Sequence, residues 1–172
     1  MLLGILLFFI TILLLLVLLS MIWPPDSPWS PWWRTNGKTA REIVILAKIT
    51  SKDVVYDLGC GDGSLLLESA RKGARGVGVE IDLARVLFAK LRVALGSVSG
   101  KVMIKRGNLF DEDVKGASVV VMYLVPKTLA RLEKKLKKEL RPKSRVVTYM
   151  YPLPYFKKIA ENADGKIFLY EV

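Results

Sequence analysis

From residue 2 to residue 22 the chain reads LLGILLFFITILLLLVLLSMI, with Thr11 and Ser20 as its polar side chains and no charge. A run of about 20 apolar residues is long enough to cross a bilayer's hydrocarbon core as a helix. A core helix of this length would be expected to carry a polar face, and this run has none. A cleaved secretory signal is the competing reading. It would want a basic leading region, a shorter apolar stretch and a small-x-small cleavage site. No Lys or Arg precedes residue 34, and LLSMIW is a poor cleavage site, so the pattern predicts an uncleaved anchor over 1–22.

The next stretch, WPPDSPWSPWW, predicts a stiff extended spacer over 23–36. Its prolines favour polyproline geometry, and its Trp rings suit the headgroup zone. An arm packed onto the following domain is the alternative, because Trp also dominates ordinary packing. Beyond residue 36 the apolar positions switch between helical and strand spacing. Thr39 with Glu42 three residues later reads as a capping box opening a helix over 39–49. VVYDL at 54–58 reads as a strand, SLLLESARKG as a helix closed by Gly73, and RGVGVEI as a second strand. A helix starting at Asp82 and ending at Gly96 follows. KVMIKRGNLF and ASVVVMYL then read as the third and fourth strands.

Leu129, Leu132, Leu136 and Leu140 form an apolar stripe on a Lys-rich helix that Pro142 stops. SRVVTYM and KIFLYEV complete the series as the fifth and sixth strands. Strands alternating with helices predict an α/β domain over 37–172, a Rossmann-like doubly wound, mostly parallel sheet with helices on both faces.

Composition narrows the chemistry. The 172 residues suffice for one domain, and the net charge of +11 lies essentially outside the apolar run. That balance favours anionic partners such as lipid headgroups, nucleic acid or an acidic protein face, without choosing among them. Cys60 is the sole cysteine, which excludes an intrachain disulfide and a Cys-based metal cage. The chain has no His, so the commonest general base near neutral pH is missing. Arg34, Lys38 and Arg41 follow the apolar run. The positive-inside rule therefore predicts a single-pass membrane protein whose domain faces the cytoplasm.

The candidate chemistry sits at VVYDLGCGDGSLL, residues 54–66. In a doubly wound sheet, ligands bind at the carboxyl ends of the strands, near the first strand-to-helix turn. The glycines at 59, 61 and 63 do not match the dinucleotide spacing, and Gly63 stands where a Walker loop needs Lys. Asp57 and Asp62 would repel a pyrophosphate. They would favour S-adenosylmethionine, which carries an ammonium and a sulfonium and no phosphate. Its carboxylate can take backbone N–H groups at the helix start. Glu80, at the end of the second strand, is placed to accept ribose hydroxyls, and Asn108 to contact the adenine edge.

In order, VVYDLGCGDG, GVGVEID and KRGNLF resemble motifs I, post-I and II of the seven-β-strand, S-adenosylmethionine-dependent methyltransferases. Across 39–172 the chain is similar to small protein-lysine methyltransferases, with YLVPKTLARLEKKLKKELRPKSRVVTY and GKIFLYEV carrying the narrower likeness. That family includes archaeal broad-specificity enzymes and membrane-anchored mitochondrial enzymes acting on the c-ring protein of ATP synthase and on the adenine nucleotide translocase. Two departures stand out. The family sheet closes with antiparallel sixth and seventh strands, and the short tail after Met150 implies that one is vestigial, near Tyr155 to Ile159. Motif II often has Asp where this chain has Asn108.

The resemblance implies S-adenosylmethionine as cofactor and a binding set of Asp57, Gly59, Cys60, Gly61, Gly63, Glu80, Asn108 and Leu109, with no metal ligand. MYLVP, after the fourth strand, lacks the Pro-Pro-aromatic motif of adenine and glutamine-amide methyltransferases. Tyr123 is the candidate catalytic residue there, facing the transferring methyl and receiving the amine. Packing within the strand is its alternative, and packing is the expected role of Tyr149 and Tyr151. Cys60 is expected to fill the loop as a small apolar residue.

A membrane-anchored lysine methyltransferase acting on membrane or surface-adjacent proteins leads this reading. The alternatives are a methyltransferase for a lipid, quinone, other small molecule or RNA, or a non-catalytic cofactor-binding adaptor. Nucleic acid is the less favoured partner, since no aromatic-basic recognition module is visible. The oligomeric state is left open.

Overall fold

The computed structural model describes residues 2–22, 33–98 and 100–172; most of the Pro/Trp-rich spacer, residues 23–32, lies outside the described residues. Helix α1 (Leu2–Ile22) exposes every side chain from Leu2 to Leu19, and none of those residues belongs to either hydrophobic core. Helix α2 (Gly37–Leu46) opens the domain. Its cap is Asn36, whose Oδ1 accepts the Thr39 N–H at 2.9 Å. This corrects the expected cap: Thr39 sits inside the first turn and is buried, and Glu42 instead accepts from Asn162 Nδ2. Asn competes well for this position because its short side-chain carbonyl reaches the unpaired N–H groups of the first turn.

The alternation then runs as β1 (Val54–Leu58), α3 (Ser64–Arg71), β2 (Arg75–Glu80), α4 (Leu83–Leu95) and β3 (Val102–Arg106). It continues as β4 (Val119–Met122), α5 (Pro126–Glu139), β5 (Arg145–Tyr149), β6 (Lys158–Glu161) and β7 (Ile167–Glu171). The seven strands form one sheet in the order β3-β2-β1-β4-β5-β7-β6. β1 to β5 pair in parallel, while β7 inserts antiparallel between β5 and β6. The expected vestigial strand is a real one. β6 pairs with β7 across a tight turn in which Asn162 Oδ1 accepts from the N–H groups of Lys166 and Ile167, each at 2.9 Å.

Side-chain alternation splits the core into two layers. Val55, Val119 and Val121 face α2, α3 and α4, joined there by Ile43, Leu66 and Val86. Leu58, Val120 and Met122 face α5, whose Leu129, Leu132 and Leu136 are the expected stripe, fully buried. Asp82 caps α4 as expected, its Oδ1 accepting the Arg85 N–H at 2.9 Å. These packed layers fix the carboxyl ends of β1, β2 and β4 side by side, and the cavity opens there.

Candidate active site

Between β1 and α3 the chain must turn sharply while exposing backbone. Gly59, Gly61 and Gly63 all adopt positive φ, at 84°, 52° and 74°. Only glycine occupies that region without strain, which accounts for all three. The loop is tied to β2 by the N–H groups of Gly59 and Cys60, which donate to the Val79 carbonyl at 2.8 and 3.1 Å. Gly78, beneath it on β2, makes room. A Cβ there would lie 2.6 Å from Leu66 Cδ1, 2.8 Å from Cys60 Sγ and 2.9 Å from Ile104 Cδ1.

The acids divide into two kinds. Asp57, at the end of β1, is buried and lines the cavity. Burial, with Asp62 and Glu80 beside it, pushes its carboxyl up to about 8. Glu80 is also buried, and its oxygens are already directed. Oε2 accepts the Gly61 N–H at 3.0 Å, and Oε1 accepts the N–H groups of Ile81 and Asp82 at 3.0 and 3.1 Å. Arg85 Nη1 stands 3.6 Å from the same carboxylate.

Asp62 differs from its expected part as an attractor for a cation. Its Oδ2 accepts from Arg34 Nε at 2.7 Å and lies 2.5 Å from Arg92 Nη1. Its Oδ1 accepts the Ser64 N–H at 3.1 Å. Two arginines thus balance its charge, and it works as a clamp joining the glycine loop to α4 and to the residues ahead of α2.

The remaining predicted residues converge on the same cavity. Asn108 and Leu109 line it just beyond β3, with Asn108 Oδ1 accepting the Phe110 N–H at 3.1 Å. Tyr123, just beyond β4, is half-buried at the cavity wall. Burial, then Tyr149 and Tyr151, raises its hydroxyl's pKa. Cys60 is buried in the loop and lines the cavity; burial and the neighbouring Asp57 and Glu80 push its thiol well up.

Further residues line the cavity that the sequence did not single out for this site, among them Tyr149, Arg85, Trp33 and Thr35. Tyr149 meets Tyr123 edge to face, with ring centroids 4.6 Å apart at 62°. Arg85 stands behind Glu80, and Trp33 and Thr35 approach from ahead of α2. Tyr149 is visible in the sequence only as an aromatic at alternate spacing on a strand. Its place follows from the pairing of Thr148 with Met122, which no local pattern reveals.

The donor set fits S-adenosylmethionine. A buried carboxyl held at about 8 by neighbouring acids gains from a cationic partner. A backbone loop of left-handed glycines before α3 admits the close approach of a ligand. Glu80 keeps acceptor capacity toward the cavity, since a carboxylate offers about four lone-pair sites.

Comparisons with known proteins agree. The family model of the ANTKMT methyltransferase domain matches residues 57–160. A protein-lysine N-methyltransferase of Saccharolobus islandicus (strain REY15A) is 34% identical over 151 residues, covering 86% of this chain and 92% of that protein. The Mus musculus adenine nucleotide translocase lysine N-methyltransferase is 32% identical over 141 residues, covering 79% of this chain and 62% of its own length. Among solved structures, an RNA methyltransferase from Salinibacter ruber, in complex with S-adenosyl-L-homocysteine, superposes with a TM-score of 0.78 at 31% identity. The match covers 81% of this chain and 93% of that one. With the motifs in order at the strand ends and the acids gathered at one cavity, the chain belongs to the ANTKMT methyltransferase family and is an S-adenosylmethionine-dependent methyltransferase.

Proposed function

We propose that this chain is a membrane-anchored protein-lysine N-methyltransferase with its catalytic domain on the cytoplasmic side. In this reading residues 1–22 are the anchor, 23–36 the link and 37–172 the catalytic domain. The substrates are proteins in or beside the bilayer. The lysine activity named for the Saccharolobus and mouse relatives supports the acceptor class. The uncharged helix α1, whose residues Leu2–Leu19 have a mean hydropathy of 3.3 and are wholly exposed, supports the anchor.

The observation that carries the lysine reading is the Tyr123–Tyr149 pair. Its rings wall the same cavity that holds Asp57 and Glu80. An aromatic slot suits an alkylammonium chain, whose stem packs on the ring edges while its cationic head meets the ring faces.

S-adenosylmethionine supplies, when bound, an electrophilic methyl group on a positively charged sulfur. The chain's residues do the rest by positioning. Asp57 takes the cofactor's ammonium, Glu80 its ribose hydroxyls, and the start of α3 its carboxylate. Asn108 and Leu109 border the adenine. Tyr123 presents the lysine nitrogen. Its raised pKa keeps the phenol protonated at neutral pH, so it orients the amine as a hydrogen-bonding and ring-face partner. It does not act as the base. With no His in the chain, the lysine proton passes to water or a carboxylate before transfer. Desolvation in the slot lowers the lysine pKa and assists that loss.

A second reading, RNA methylation, draws on the RNA activity named for the Salinibacter enzyme and on the net charge of +11. One experiment separates them: incubation with methyl-labelled S-adenosylmethionine and source membranes containing RNA, then mass spectrometry of each fraction. Label on lysines of membrane or membrane-adjacent proteins, absent with Asp57→Ala, supports the proposal. Label in RNA or in lipid extract replaces it. Cofactor binding without any label leaves the adaptor reading.

A further inference from the structure

The two helical layers of the domain present opposite outer surfaces. On α5 the outward positions are Lys127, Arg131, Lys134, Lys137 and Lys138, an ordinary solvated face. On α4 they are apolar: Leu83, Leu87, Leu91 and Leu95 recur every four residues and are 49%, 58%, 56% and 76% exposed. Phe88 flanks the row. Four-residue spacing puts these leucines along one side of the helix, and a continuous exposed row of this kind marks an interaction surface.

Charge says what covers it. From Leu83 to Phe110 the chain has six basic residues (Arg85, Lys90, Arg92, Lys101, Lys105 and Arg106) and no acid. Of these, Lys90 and Lys101 are exposed beside the leucine row, while Arg85 is buried beside Glu80. An apolar helix face with Lys90 exposed on it and no acid anywhere in α4 complements an anionic lipid surface. Such a helix lies in the interface with its apolar side at the headgroup and acyl boundary. Position agrees, since α1 lies against α4 and the leucines remain exposed beside it.

We infer that the outer face of α4 rests on an anionic bilayer surface, with Leu87, Leu91 and Leu95 seated among the lipids. This rests on the anchored reading above and deepens it. α4 starts at the carboxyl end of β2, where the cavity opens, and runs back along the sheet. Laying α4 flat therefore holds the cavity mouth at headgroup height. The reachable lysines are then those presented along the membrane surface, and the domain is oriented as well as tethered.

The test uses the full chain in nanodiscs of mixed zwitterionic and anionic phospholipid, with one environment-sensitive fluorophore at Leu13→Cys, Leu91→Cys or Lys134→Cys. Cys60 is buried with its thiol pKa pushed up, so the introduced thiol is the reactive one. Quenching is read with nitroxide lipids and, separately, with a water-soluble quencher. The expected result is lipid quenching at 13 and at 91, aqueous quenching at 134, and a several-fold loss of lipid quenching at 91 in purely zwitterionic discs. Lipid quenching at 13 with aqueous quenching at 91 overturns the docking while the anchor stands. Shielding of 91 from both quenchers overturns it in favour of a protein on that face. Absence of lipid quenching at both 13 and 91 removes the anchor and this inference together.

Discussion

At the residue scale, the proposed contact of Asp57 with the cofactor would tie binding to protons. An unfolded aspartate titrates near its ordinary 3.8, whereas folded Asp57 titrates at about 8. Between those values the fold holds a proton that the unfolded chain has released, so this group makes stability fall as pH rises through that window. Asp57→Asn is therefore expected to raise the unliganded melting temperature near neutral pH while weakening cofactor binding. In the wild type, a cationic cofactor favours the carboxylate. Binding should release a proton and strengthen as pH climbs toward 8. Calorimetry in two buffers of different ionisation enthalpy measures that proton, and equal observed heats in the two would refute the coupling. Glu80 needs a gentler probe. An alanine there would strand three N–H groups, so loss of fold would mask loss of ribose binding. Glu80→Gln keeps an acceptor in place and should weaken cofactor affinity with little change in melting temperature. The Tyr123–Tyr149 contact gives a third residue-scale prediction. Tyr149→Ala should lower kcat/KM for a lysine peptide roughly fivefold, corresponding to an edge-to-face pair of about 1 kcal/mol. Tyr149→Phe should keep most of that activity, because the proposed role is the ring's.

At the element scale, what the sequence reveals depends on how local the signal is. The glycine loop, Asp57 and Glu80 are legible because each lies at a strand end that its own segment marks, with a short apolar run before it. The α5 stripe is legible for the same reason. β6 is not. Its residues Lys158, Ile159 and Glu161 are exposed, its pairing to β7 contains a register shift, and an edge strand has no buried face to impose alternation. The cap of α2 is misplaced by the sequence pattern because Thr39 and Glu42 match a capping box, while Asn36 sits three residues before Thr39 among residues read as linker. Two stability measurements check these assignments. Asn36→Ala should cost about 1 kcal/mol by urea titration. Gly78→Ala, pressing on Leu66, Cys60 and Ile104 together, should cost about 1–3 kcal/mol and loosen the cofactor loop. Gly37→Ala, with nothing within 4 Å of the new methyl, should not destabilise the chain.

At the scale of the whole molecule, the segment after the apolar helix and the glycine loop meet in a few residues. The side chains of Leu2–Leu19 are exposed and join neither core, so the domain's stability does not depend on them. Residues 33–36 are different: Arg34 pairs with Asp62 of the glycine loop, Asn36 caps α2, and Trp33 and Thr35 line the cavity. A chain cut before Trp33 should therefore fold, bind cofactor and methylate a soluble lysine peptide at a rate close to that of the full protein. A chain cut before Gly37 loses the cap and the ion pair, and should show a lower melting temperature and weaker cofactor binding. The comparison that isolates the anchor uses one lysine segment presented twice, free in solution and fixed to a vesicle. Confinement to a surface raises the effective concentration of a fixed target without any new contact, by roughly a hundredfold or more for a well-matched tether. The full chain should gain about that factor on the vesicle-bound substrate, and the chain beginning at Trp33, which keeps only the α4 face, should gain far less. Equal gains for both would mean that the apolar helix does not set the substrate range, and that selection of membrane-surface lysines, if it occurs, resides in the domain itself.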